Sequence, residues 1–122
     1  GFNLPYKKGS FPFYMNISIE QGLLLVAVKN AELVGFAAGV KSPLMGNSDY
    51  TVGSDLAWWV QPAHRGDRLG IELLKGLETA AKEAGCDYFS MMYMESSMPE
   101  SIKRIYQKMG YSLQETTYGK RL

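Results

Sequence analysis

The stretch that most constrains this chain is Val60-Gln61-Pro62-Ala63-His64-Arg65-Gly66-Asp67-Arg68-Leu69-Gly70-Ile71-Glu72-Leu73-Leu74. A β-prone aromatic run, Leu56-Ala57-Trp58-Trp59-Val60, enters it, and an amphipathic helical pattern leaves it. Pro62, Gly66 and Gly70 stand between the two, so the strand must break and the backbone must turn tightly. A strand that turns and restarts as a helix presents unpaired amide N–H groups at the positive end of the helix dipole. The pattern therefore predicts a phosphate site. It is neither a P-loop, which ends in Lys-Ser/Thr, nor a G-x-G-x-x-G dinucleotide turn.

Size and charge narrow what can surround that turn. With 122 residues, 46% of them hydrophobic, the chain can build one compact domain and little more. Thirteen Lys and Arg against twelve Asp and Glu leave a formal charge of +1, which steers it to neither nucleic acid nor an acidic membrane. One cysteine, Cys86, excludes an internal disulfide framework and fits a reducing compartment. The longest apolar run, Leu23 to Val28, is far short of a membrane span. The expectation is a soluble, cytoplasmic protein.

The remaining pattern predicts a lead-in over 1–22 and a core over 23–122, all one domain. Gly1 to Gly9 show no periodicity. A short helix follows, capped by Ser10, with Pro12 in its first turn and Phe13, Met15 and Ile17 as its apolar side. Strands are expected at Leu23 to Lys29, Leu33 to Val40 and Tyr50 to Val60, with a tight connection at Asn30-Ala31-Glu32 and a loop over Ser42 to Ser48. Leu73, Leu74, Leu77, Ala80, Ala81 and Ala84 recur at helical spacing, and Gly85 suits the position just past the helix end. Cys86 to Met94 reads as a strand covered on both faces. A second helix, capped by Ser96 or Ser97, runs to Met109, and a last strand covers Tyr111 to about Tyr118. The sum is an α/β fold: a mixed sheet with helices on its faces.

Two motifs carry a resemblance. Arg65 to Gly70 resembles the coenzyme-A pyrophosphate loop of the GNAT N-acetyltransferases, Arg/Gln-x-x-Gly-x-Gly/Ala, with Arg68 where the first Gly is usual. Ile105-Tyr106-Gln107-Lys108-Met109-Gly110-Tyr111 is similar to that family's later pattern of an aliphatic residue, Tyr, three residues, Gly and an aromatic. The second motif begins about forty residues after the first, room for one helix, one strand and their connections. Asp55-Leu56 ahead of the aromatic strand and a closing Tyr118-x-Lys120-x-Leu122 look most like small GNAT proteins of tailed-phage genomes.

The resemblance implies a GNAT fold, a mostly antiparallel mixed sheet with splayed central strands, here without the strand and helix that usually open it. It implies acetyl-coenzyme A as co-substrate, no metal, and a small-molecule or protein amine as acceptor, in a monomer or a homodimer. The pantetheine arm would lie in the V between the strand ending at Trp59-Val60 and the strand Tyr88 to Met94. The pyrophosphate would meet backbone amides of Arg65, Gly66, Asp67, Arg68, Leu69, Gly70 and Ile71. Tyr106 matches the tyrosine that, in many members, protonates the departing thiolate. Glu95 and Asp55, then Asp49, are the carboxylates open to a role as base.

Each residue also has a plainer reading. Tyr106 shares a helical face with Ile102, Ile105 and Met109, as a core tyrosine would. Trp58 and Trp59 must point to opposite faces of a strand, one into the core. His64, the single histidine, has no partner at metal spacing. Cys86 reads as a small buried hydrophobe, and Met91, Met92, Met94 and Met98 as core filling. Arg68 is a cost if its position needs φ > 0, and a phosphate grip if its side chain swings outward. Three readings stay open: an N-acetyltransferase, a non-catalytic coenzyme-A-binding or structural module, and an unrelated α/β fold with a phosphate turn.

Overall fold

The computed structural model describes residues 7–66, 68–92 and 99–122. They fall into two compact units, the first being Lys8–Met91 and the second containing Met92–Leu122. In the first, the elements run α1 (Ser10–Glu20), β1 (Leu24–Lys29), β2 (Glu32–Leu44), β3 (Asn47–Val60), a 3₁₀ turn (Pro62–His64), α2 (Leu69–Glu83) and β4 (Tyr88–Ser90). The strands lie in the order β1-β2-β3-β4, the first three antiparallel and β4 parallel to β3. This is the expected mixed, mostly antiparallel sheet.

Two turns set its registers. β1 and β2 join through Asn30 and Ala31, both at positive φ, 53° and 62°. That is the two-residue geometry matching strand twist, and Asn tolerates it better than Ala. The loop expected over Ser42 to Ser48 is instead the tip of a long hairpin: β2 extends to Leu44 and β3 begins at Asn47. Backbone pairing carries Ser42 and Pro43 opposite Val52 and Thr51, overriding their weak strand preference.

α2 covers one face of the sheet. Its Leu73, Leu74, Leu77 and Ala81 are buried, while Glu72, Lys75, Glu78, Thr79 and Lys82 face solvent, as the periodicity predicts. Leu73, Leu77 and Ala81 pack with Leu23, Ala37 and Val60. Gly76 lets the helix approach, since a Cβ there would collide with the Leu25 side chain. α1 packs against β1 and β2 on the other face. It differs from expectation in two ways. Gly9, at φ 93°, occupies the N-cap in place of Ser10, and Phe13 is exposed. Ser18 is what α1 buries, its hydroxyl donating to the Gly39 carbonyl at 2.7 Å.

β4 is much shorter than the strand read from Cys86 to Met94 and is not covered on both faces: Tyr88 and Ser90 are exposed. Tyr93, Met94 and the expected caps Ser96 and Ser97 lie outside the described residues. In the second unit α3 (Pro99–Lys108) forms as predicted and ends at Gly110, φ 91°. The strand expected from Tyr111 to Tyr118 is absent; 111–122 have no regular structure. Their apolar residues Leu113, Tyr118 and Leu122 are exposed, so no buried face fixes a strand register there.

Candidate functional site

β3 is the axis of the site. Along one edge it pairs with β2 from Asn47 to Val60. Along the other it pairs with β4 only at Val52, Gly53 and Ser54. Asp87 closes the start of that short pairing: its side chain accepts from the Thr51 N–H and its own N–H donates to the Thr51 carbonyl, both at 2.8 Å. Ser54 and Ser90 share a hydroxyl hydrogen bond of 3.1 Å at its last rung. Beyond Ser54 the β4-side edge of β3 has no strand partner among the described residues.

A β-bulge follows at once. Gly39 pairs with Asp55 and Ala38 with Ala57, so Leu56 is an extra residue in β3. A bulge leaves backbone groups unpaired and re-aims the side chains around it. Asp55, 9% exposed, stands at this point beside Gly39. Asp49 is exposed near the hairpin tip, six residues and roughly 20 Å of strand from Asp55. Glu95 lies outside the described residues.

At its far end β3 presents the two tryptophans to opposite faces, as alternation requires. Trp58 packs with the core beneath the first turn of α2. Trp59 lies on the α1 side, partly exposed, its ring 6.2 Å from Phe36, which is 6.1 Å from Phe11. Val60 is buried.

The turn then has a defined shape. Arg65 is extended, and its Nε donates back to the Val60 carbonyl at 2.8 Å, tying the turn to the end of β3. Gly66 takes φ 94°, the left-handed conformation that needs glycine. Asp67 lies outside the described residues. Arg68 is the N-cap of α2 at φ −81°, a backbone conformation any residue adopts, so arginine in place of glycine carries no strain here. Its side chain makes no capping bond. Leu69, Gly70 and Ile71 form the first turn of α2, whose leading N–H groups lack helical acceptors.

Gly70 has a different reason from the one its pattern suggested. Its φ is not positive; a Cβ there would stand 3.0 Å from Cζ2 of Trp58. Close packing of helix on strand is what demands glycine. Behind the turn, Ala27, Val28, Lys29, Val34, His64, Arg68, Leu69 and Glu72 line a cavity of about 350 Å³. No cluster of metal-ligating side chains occurs among the described residues.

Within the second unit Tyr106 is buried on α3, and its hydroxyl donates to the Met92 carbonyl at 2.6 Å. Met92 lies two residues past β4. The Tyr106 ring also stands 6.1 Å from that of Tyr111. The bulge at Leu56 was not singled out by sequence, and Trp58 was read only as one of two tryptophans on opposite faces of a strand. The bulge leaves no local signal, but Trp58 next to a helix-start glycine is a readable pairing.

Comparisons with known proteins agree on the architecture. The chain is similar in fold to a Trypanosoma brucei acetyltransferase, with TM-score 0.71 and 22% identity over 98% of this chain and 82% of that one. It is similar to glucosamine-6-phosphate N-acetyltransferase from Arabidopsis thaliana, with TM-score 0.72 and 14% identity over 99% and 82% of the two chains. A third similar structure is AAC(6')-Iy in complex with a bisubstrate analog of coenzyme A, with TM-score 0.73 and 14% identity over 96% and 81%. No curated protein sequence matches. The model of the acetyltransferase (GNAT) family matches residues 3–111. With the fold and nearly the whole length in agreement, this chain belongs to the GNAT acetyltransferase family and is an enzyme of that kind.

Proposed function

We propose that this enzyme transfers the acetyl group of acetyl-coenzyme A to a primary amine by direct attack. One observation carries the reading: β3 loses β4 after Ser54, bulges at Leu56, and runs directly into a donor-rich turn. An open strand edge suits an amide-bearing arm such as pantetheine, and an uncapped helix start suits its pyrophosphate. The residues described fit such a group, because the uncapped start of α2 at Leu69, Gly70 and Ile71 offers backbone donors, and Gly66 makes the left-handed turn ahead of it.

The co-substrate supplies an acetyl group already activated as a thioester. The amine nitrogen bonds to the acetyl carbon, the carbon–sulfur bond breaks, one proton leaves nitrogen and one reaches sulfur. Asp55, directly or through water, takes the proton from nitrogen; Glu95 is the other carboxylate for that role. A backbone N–H freed by the bulge meets the acetyl oxygen as it gains charge. The family likeness assigns Tyr106 the return of a proton to sulfur; within its own unit its hydroxyl donates to the Met92 carbonyl. The family likeness supports Tyr106 in that role; its partly buried hydrogen bond supports a structural part as well.

Calorimetric titration with acetyl-coenzyme A tests the reading. Gly70→Glu places a carboxylate at the helix start and crowds Trp58, so a folded variant is expected to lose over tenfold in affinity, about 1.4 kcal/mol or more. Equal affinity in the folded variant and parent refutes the site. Thiol release across a panel of primary amines then separates catalysis from mere binding.

A further inference from the structure

We infer that Ser18 and Gln21, at the end of α1, are positioning residues for the Asp55 carboxylate: they hold β2 beyond the end of β1 and so fix the bulge at which Asp55 stands. The inference rests on Asp55 serving as base in the proposed function, and it gives a part in the reaction to a helix that neither motif includes.

β1 stops short of the bulge. Its ladder with β2 begins at Leu24 opposite Ala38, so from Gly39 onward β2 has no strand on that side among the described residues. The end of α1 and the turn after it stand in for one. Gly39 donates its N–H to the Leu23 carbonyl at 2.8 Å, and its carbonyl accepts from the Ser18 hydroxyl at 2.7 Å. Two residues on, the Gln21 side chain accepts from the Lys41 N–H at 2.8 Å and donates to the Lys41 carbonyl at 3.3 Å. An antiparallel neighbour engages alternate residues in this way, through both backbone groups of each.

Across β2 from these bonds lies the reacting stretch of β3. Gly39 pairs with Asp55, Val40 with Ser54 and Lys41 with Gly53, and β4 pairs no further than Ser54. The two strands approach closely there: a Cβ on Gly39 would stand 2.8 Å from the Ser54 carbonyl oxygen. A shift of Gly39 is therefore passed to the backbone of Ser54 and Asp55. The ladder is disrupted at Leu56 and does not hold β3 there by itself, so the support comes through β2. Ser18 is 0% exposed, a place where alanine would suit the helix better unless the hydroxyl is needed.

Thiol release from acetyl-coenzyme A with spermidine, glucosamine and a lysine-containing peptide tests this, the fastest acceptor serving for all variants. Ser18→Ala and Gln21→Met should each lower kcat about tenfold, with coenzyme-A affinity by calorimetry unchanged. Ala81→Gly, on the buried side of α2, lowers stability comparably and should keep its kcat. Asp55→Asn provides the decisive comparison. In that background Ser18→Ala should lower kcat little further, since a residue acting through Asp55 has nothing left to position. Full kcat in Ser18→Ala and Gln21→Met, an equal loss in Ala81→Gly, or a loss that adds in full to that of Asp55→Asn overturns the inference and leaves the proposed function standing. Full kcat in Asp55→Asn removes Asp55 as base and the inference with it, with acetyl transfer itself standing. Absence of thiol release in the parent overturns both. Should Ser18→Ala fail to fold, Gln21→Met carries the same cycle, its residue lying at the helix end and only partly buried.

Discussion

Tyr106→Phe is the substitution whose outcome says most. The variant keeps the buried ring and removes one hydroxyl, which donates to the Met92 carbonyl at 2.6 Å. A hydrogen bond of this kind contributes about 1 kcal/mol net, with a further penalty where the acceptor stays desolvated. The bond is partly buried, so about 1–1.5 kcal/mol is expected, read in urea denaturation. For a chain of this length the melting temperature should drop by about 3–7 °C. If the same hydroxyl supplies the proton to sulfur, kcat should fall by about 10²-fold, the lower end for a positioned acid that water can replace. Coenzyme-A affinity should stay within about threefold, since no phosphate contact is touched. The assays are thiol release at saturating acetyl-coenzyme A and calorimetry on the same preparation. The two roles separate cleanly. Lost stability with full kcat refutes the acid assignment and leaves Tyr106 as the residue that ties α3 to the Met92 backbone.

Three further outcomes follow from the packing and from one titrating group. Ser18→Ala orphans the buried Gly39 carbonyl and regains only about 0.5 kcal/mol of helix propensity, so urea unfolding should show a loss of about 1–2 kcal/mol; an unmoved midpoint refutes the role of that bond. Ala31→Gly relieves a left-handed alanine at φ 62° and should stabilise by about 0.5 kcal/mol after the entropy of the freer unfolded chain, visible as a raised urea midpoint. Burial raises the Cys86 thiol above its ordinary value of 9.0, with Lys41 pulling it down and Asp87 pushing it up. The folded state thus favours the neutral thiol, and the stability this contributes is complete below the ordinary value and lost as pH rises through the raised one. Cys86→Ser should remove that part of the alkaline destabilisation, and alkylation of the parent should be slower than that of a free thiol at the same pH.

Periodicity alone determined a good deal of this protein. The α2 stripe, the Asn30-Ala31 hairpin, the opposed tryptophans and the break from Val60 into a helix all depend on neighbours a few residues apart, and side-chain type records such neighbours directly. Motif order likewise marked Arg65 to Gly70 and Tyr106. The tertiary structure decided what depends on partners distant in the chain. Leu56 becomes a bulge only because Gly39 and Ala38 set its register; β4 ends at Ser90 where its pairing with β3 stops. Neither leaves a local mark. Gly70 shows the division within one residue. Its presence was legible, but its reason, a 3.0 Å approach to Trp58 rather than a left-handed turn, exists only once helix and strand are packed. A glycine pattern records that a Cβ is excluded; only the folded neighbours say by what.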